Sequence, residues 1–286
     1  MNAYTLSIVV ATYARERMLI ETLEALTRLD PPAAEILVVD QSPAHEPKVA
    51  EALARLAREE QIRLIRVKAP NIPAAMNLGL RMARGRYVLF LDDDVRPARN
   101  LVGAHLRAHR SSRAGLVAGK VVQPWHKPGE EPDPSEDFIG CHVSIERAAA
   151  LALGGFDENF ARAAYRFEAE FSHRWRQAGR RIHYAPDACL RHLKATTGGT
   201  RAFSHHLTTM KPDHAVGEYY FLLRSWRGPP SLGAFLARPF KAVRTRHHLL
   251  RPWWIPLTLI GEARGMAWAI ALALRGPQLV DRRPPC

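Results

Sequence analysis

Three aspartates in a row, Asp92, Asp93 and Asp94, close a strongly apolar run, YVLFLDDDVRP, over residues 87–97. A short run of β-branched and aromatic residues reads as a buried strand. Three carboxylates at its exit repel one another unless something cationic joins them. A divalent ion such as Mg²⁺ or Mn²⁺ answers that repulsion, because hard cations take carboxylate oxygens and commonly bridge them to a diphosphate. The competing reading is a solvated acidic loop.

The segments around the triplet alternate strand and helix. Short apolar runs at residues 6–11, 35–40, 62–67 and 87–92 are separated by helical patterns at 16–28, 47–60 and 73–84. That order predicts an α/β fold whose mostly parallel sheet is covered on both faces. Ligands collect at the carboxyl ends of such strands, where Asp40 and Asp92 both fall. The first glycine of the chain is Gly79, so the first strand-to-helix turn carries neither a dinucleotide fingerprint nor a Walker loop. A phosphate bound here therefore has to be held through metal. Further on, the pattern predicts a helix at 100–109, a strand at 116–122 and a proline-rich acidic loop at 124–137. Then come a strand at 138–145, a helix at 167–178, a strand at 181–184 and a helix at 218–226.

Five blocks in this order resemble the inverting family-2 glycosyltransferases of the GT-A fold. They are SIVVATYAR at 7–15, ILVVDQS at 36–42, NIPAAMN at 71–77 followed by ARGRY at 83–87, the triplet at the Asp-x-Asp position, and GGFDE at 154–158 followed by FEAEFSHR at 167–174. The resemblance implies a Rossmann-like, GT-A type sheet flanked by helices, with a catalytic domain over 1–200. Residues 1–98 would bind the nucleotide-sugar and 99–200 the acceptor. It implies a metal-dependent transfer from a nucleotide-diphosphate sugar, UDP- or dTDP-linked, to a glycan or lipid-linked hydroxyl. Donor contacts would come from Ala11, Thr12, Tyr13, Asp40, Asn77, Asp92 and Asp93, with Asp40 facing the base. Metal would sit on Asp92, Asp94 and His192, and the acceptor on Gly155, Phe156 and Asp157. Counting back from Arg174, Glu168 falls on the family's catalytic acid, with Glu170 the alternative. Residues two apart on a helix do not share a face, so only one should point at substrate. The run Lys194, Gly198, Gly199, Arg201 would close over the diphosphate. Met76 stands where the family often has arginine, and FEAE replaces its usual Glu-Asp-x-Asp/Glu.

Net charge is +13, and it is uneven. Residues 200–286 carry 13 Lys and Arg against 4 Asp and Glu. A basic half of this kind suits an anionic partner: a membrane surface, nucleic acid or phosphorylated substrates. No nucleic-acid motif or basic–aromatic stripe is visible, so nucleic acid is not expected. Trp253, Trp254, the flanking arginines and the apolar 265–274 stretch instead read as an interfacial membrane element in a helical, basic C-terminal region, 201–286; the competing reading is an apolar helix packed on the catalytic domain or on a dimer partner. Within residues 252–274, Glu262 and Arg264 divide the apolar stretch into two pieces too short to span a bilayer. The N-terminus reads as a first strand rather than a signal peptide. Cys141, Cys189 and Cys286 have no Cys-x-x-Cys spacing, which fits unpaired thiols in a reducing compartment. The location expected is cytoplasmic, peripheral on the inner face of the membrane. Two rival functions are a basic binding module without catalysis and a nucleotidyltransferase; the latter would want a glycine-rich basic loop near its start.

Overall fold

The computed structural model describes residues 5–126, 138–161, 165–200, 207–226 and 228–280. The first half is a parallel sheet of β1 (Leu6–Thr12), β2 (Glu35–Asp40), β3 (Arg63–Arg66) and β4 (Tyr87–Leu91). Between them run α1 (Arg17–Thr27), α2 (Pro47–Arg58) and α3 (Ile72–Met82). Helix α3 starts where the sequence signals it: the Asn71 side chain caps the amide of Ala74, with proline in the first turn. The chain continues through β5 (Val95–Pro97), α4 (Leu101–Ser112), β6 (Leu116–Val122), β7 (His142–Glu146), α5 (Arg147–Ala152), α6 (Phe167–Gln177) and β8 (Ile182–His192). The sheet order is β3-β2-β1-β4-β7-β6-β8-β5. It is parallel from β3 to β4, after which β7 runs antiparallel to both β4 and β6.

Alternate residues of each strand feed two apolar layers. Val9, Leu37, Val39, Val88 and Phe90 face one cluster, whereas Ile8, Val10, Val38, Leu89 and Leu91 face the other. Two strand expectations need correction. The strand foreseen over 138–145 begins only at His142, because His142 N donates to Ile139 O in a turn just before it. The one foreseen at 181–184 runs on to His192. Pro186 lies inside it, but the pairing with β6 skips there, from Gly119↔Ala185 to Lys120↔Cys189, so the missing N–H falls on a bulge.

The second layer holds a buried polar chain. His142 Nδ1 meets Lys120 O at 3.1 Å, and His142 Nε2 meets His105 Nε2 at 2.9 Å. Ser144 Oγ lies 2.8 Å from His105 Nδ1 and 2.7 Å from His109 Nε2. His109 Nδ1 then reaches Ala114 O at 2.8 Å. Burial holds all three rings below the usual histidine range: His142 at about 3, His109 at about 4, and His105 well down.

The C-terminal region contains α7 (Asp213–Arg224), α8 (Pro229–Val243), α9 (Arg246–Leu250) and α10 (Ile255–Arg275). Helix α7 shares the first apolar cluster: Val216, Tyr219 and Tyr220 are buried with Phe160 and Ala269. Helix α10 packs on it closely, and a Cβ on Gly265 would stand 2.6 Å from that of Ala215. Glu262 and Arg264, expected to divide the apolar stretch, lie within one continuous helix: Glu262 is buried beside Arg238, Nη2 to Oε1 at 3.2 Å, and Arg264 hydrogen-bonds Met210 O. Residues Pro252–Arg275 are thus long and apolar enough to cross a bilayer by length and composition, although 33% of the apolar window is buried inside the protein.

Candidate active site

The sheet order brings four strand ends to one rim. Val10 pairs with Leu91 and Thr12 with Asp40, so β1, β2 and β4 end together. Leu91 also pairs with His142, which sets Cys141 beside Asp92, and Val95 pairs with His192. A cavity of about 720 Å³ opens there. Its wall includes Ala11, Thr12, Tyr13, Asp92, Asp93, Asp94, Glu168 and His192, all foreseen from the sequence. Helix α7 and the residues before it complete the wall with Thr209, Lys211, Asp213 and His214. The 209–211 stretch is backed by α10, where Gly261 lies against Thr209 O.

The three aspartates do different things. Asp93 is 5% exposed and accepts from Thr12 Oγ1 at 2.7 Å and Arg15 Nε at 2.9 Å. Burial pushes its carboxyl up to about 6, against the pull of Arg15 and Thr12. With both oxygens engaged inside the fold, Asp93 is not placed to bind ribose hydroxyls. Asp94 accepts from Ala195 N at 2.8 Å, Arg15 Nη2 at 3.4 Å and His192 Nε2 at 3.0 Å. Burial raises its carboxyl, but the bond and charge of His192, then Ala195 N–H and Arg15, outweigh that and hold it below the usual range. Asp92 is the open one, its side chain 49% exposed, with Oδ2 3.6 Å from His192 Nε2.

Arg15, the last residue of the SIVVATYAR motif, is central here. Besides Asp93 and Asp94 it donates to Thr197 O, while Gly199 N donates to Tyr13 O at 2.8 Å. The Lys194–Gly199 segment is therefore pinned over the acidic cluster. Arg201, foreseen as part of that loop, lies outside the described residues, as do residues 127–137 of the proline-rich loop.

The carboxylate pair divides cleanly. Glu168 lines the cavity. Glu170 is 2% exposed and forks onto Arg174, Nε to Oε1 at 2.7 Å and Nη2 to Oε2 at 2.8 Å. Arg174 also donates to Leu153 O and Gly155 O. Glu170 thus anchors α6 to the turn before it.

Several foreseen ligand contacts are structural instead. Asp40 is 1% exposed and is not in the cavity wall, with Ser42 N on one oxygen and His45 Nε2 at 3.1 Å on the other. Its neighbour Gln41 lines the wall. Asn77 is fully buried, donating to Phe156 O and Glu158 Oε1 and accepting from Phe156 N at 2.8 Å. Gly155 has φ +64°, and a Cβ there would meet Asn77 Oδ1 at 2.4 Å. Phe156 is a core ring. Asp157 accepts from Tyr220 OH at 2.7 Å and Gln278 N at 2.9 Å. These four residues frame the site by joining α3, α7 and the chain after α10, and none lies in the cavity wall.

The donor set fits a divalent cation. Asp92, Asp94 and His192 offer two carboxylates and an imidazole together, with His192 Nε2 3.6 Å from Asp92 Oδ2 and 3.0 Å from Asp94 Oδ1. Cys141, a free and buried thiol, is also in the wall.

Comparison with known proteins places this geometry. The sequence model described as "Glycosyl transferase family 2" matches residues 7–170. An uncharacterized glycosyltransferase of Rickettsia conorii is 28% identical over 94 residues, which cover 33% of this chain and 15% of that protein. Among solved structures, the mannosyltransferase PcManGT of Pyrobaculum calidifontis, in complex with GDP-Man and Mn²⁺, superposes with a TM-score of 0.56 at 19% identity, over 96% of this chain and 79% of its own. S. aureus TarS 1–349 in complex with UDP-GlcNAc gives 0.62 at 14% identity, over 95% and 92%. At these identities the likeness is one of fold: a GT-A sheet with helices on both faces.

Proposed function

This chain belongs to glycosyl transferase family 2, and from that premise we propose that it moves a sugar, with inversion, from a nucleoside-diphosphate sugar to a hydroxyl acceptor. The observation that carries the reading is the meeting of Asp92, His192 and Glu168 in the wall of one cavity. Mg²⁺ or Mn²⁺ held by Asp92, Asp94 and His192 would supply Lewis-acid stabilisation of the diphosphate leaving group. Glu168 takes the acceptor's hydroxyl proton as that oxygen bonds to the anomeric carbon. The bond from that carbon to the diphosphate breaks on the opposite face, its electron pair leaving with the nucleoside diphosphate. Thr12, Tyr13 and Lys194 border the donor's place, and Lys211 and His214 stand on the α7 side. With Asp40 outside the cavity wall, the preference for UDP or dTDP loses its carrier, so the donor is proposed at the level of a nucleoside-diphosphate sugar. Family membership leaves the nucleotidyltransferase and the non-catalytic binding module without support.

The acceptor is proposed to be lipid-linked or part of a cell-envelope glycan, met at the inner face of the cytoplasmic membrane. Leu236 and Phe240, one helical turn apart on α8, are exposed, as are Leu249, Leu250, Trp253 and Leu274. Lys241, Arg244, Arg246 and Arg251 lie among them. Exposed apolar and cationic residues together suit an anionic bilayer surface.

Thermal unfolding with UDP, GDP, dTDP or CDP, each with and without Mn²⁺, tests the donor site. One nucleotide at 100 times its Kd should raise Tm by roughly 5 °C only with Mn²⁺, and Asp92→Asn should abolish that rise. No shift with any nucleotide would overturn the reading. Flotation on anionic and neutral vesicles tests the surface: Phe240→Asp with Leu249→Asp should release the protein, and retention by both vesicle types would count against it.

A further inference from the structure

We propose that Cys141 is a metal ligand: with Asp92 and His192 it makes a mixed oxygen, nitrogen and sulfur site for a borderline-soft cation, Zn²⁺ or Co²⁺. One ligand atom from each residue lies within 4.8 Å of the others. The site is built by the sheet, since antiparallel pairing of β4 with β7 sets Cys141 beside Asp92 and the β5–β8 ladder delivers His192. Cys141 is 3% and His192 6% exposed, so two of the ligands are held by packing. His192 Nε2 lies 3.6 Å from Asp92 Oδ2, which sets that imidazole nitrogen toward the exposed carboxylate.

Size and softness agree. Tetrahedral zinc bonds of about 2.0–2.3 Å set ligand atoms roughly 3.5 Å apart, so the group must close by about 1 Å. Asp92 is the most exposed of the three, its side chain 49% exposed. Binding breaks the S–H bond, forms a metal–sulfur bond and releases the proton to solvent, so affinity rises with pH. Thiolate favours Zn²⁺ and Co²⁺ over Mg²⁺ and Mn²⁺. The inference rests on the reading that Asp92 and His192 hold the donor's metal, and adds that Zn²⁺ competes with Mn²⁺ for that place.

The test is a Co²⁺ titration of the full chain followed by absorption. A thiolate-to-cobalt charge-transfer band in the near ultraviolet is expected in the wild type and in Cys189→Ser. It should be absent in Cys141→Ser, whose Co²⁺ affinity should fall by about tenfold or more. Mn²⁺ affinity, read by electron paramagnetic resonance, should change by less than about threefold. Cys141→Ala repeats the measurement should the serine variant fold poorly. No band in the wild type, or a band that survives in both Cys141 variants, overturns the proposal. Nucleotide-dependent stabilisation is scored separately: a band without it leaves Cys141 a ligand and sinks the donor-site reading, whereas stabilisation without a band does the reverse.

Discussion

Arg15 Nε donates to Asp93 Oδ1 at 2.9 Å, tying the loop after β1 to the end of β4. The side chains are 11% and 8% exposed, so this pair is screened little by water. Arg15→Ala leaves Asp93 buried without its cation. We expect a loss of about 3–5 kcal/mol of unfolding free energy, read from denaturant midpoints, and release of the Lys194–Gly199 segment to proteolysis. Arg15→Ala with Asp93→Asn should recover part of that loss, because the lone charge is gone.

Glu168→Gln and Glu170→Gln should fail in opposite ways. The first removes a base from the cavity wall, and turnover should fall by about 10³-fold with Tm almost unchanged. The second breaks the fork onto Arg174 and should lower stability by about 2–4 kcal/mol. Parallel kinetics and calorimetry of both variants settle which carboxylate does which.

Asn77→Ala should behave as a folding mutation. It strands the amide and carbonyl of Phe156 in the core, at a cost of about 1–3 kcal/mol each. Gly155→Ala should be at least as damaging, through its positive φ and its collision with Asn77. Urea unfolding checks both, and a normal midpoint with lost donor affinity would instead make Asn77 a ligand contact.

Acid should destabilise the protein through His105, His109 and His142. Their folded values are depressed, so between pH 6.5 and about 3 the unfolded chain binds protons that the folded chain does not. Stability is therefore full above pH 6.5 and falls as pH drops through that window. Each ring contributes at most about 1.4 kcal/mol per pH unit. The bond to Ala114 O and the charge of Glu146 raise the His109 value and soften its share, whereas Arg86 and His183 lower it further. His109→Gln should flatten the slope of Tm against pH.

The parallel strands and their acidic exit were legible because short β-branched runs between amphipathic helices have few other readings. Glu170 carried a visible signal, Arg174 four residues on, the spacing of a helical ion pair. Asp40 sits at a strand end as foreseen, but periodicity does not tell that His45 folds back onto it. Cys141 and Asp92 are far apart in sequence, and only the antiparallel ladder of β4 and β7 joins them. The C-terminal helix was misjudged for a similar reason. Counting charges along the chain treats Glu262 as an end of the apolar stretch, whereas Arg238 on another helix pairs with it.

The histidine chain contains an arithmetic frustration. Its two ends are carbonyls, Lys120 O and Ala114 O, which only accept. Five contacts lie between them, yet three neutral imidazoles and one hydroxyl bring only four protons. With Nδ1–H of His142 and His109 spent on the carbonyls, His105 must donate to His142, and both His105 and His109 then look to Ser144 for the same hydrogen. A fifth proton would complete the set, but as a cation in the core, which burial opposes. The Ser144 hydroxyl therefore has two competing acceptors, at 2.8 and 2.7 Å, and whichever it serves, the other imidazole nitrogen goes without a hydrogen.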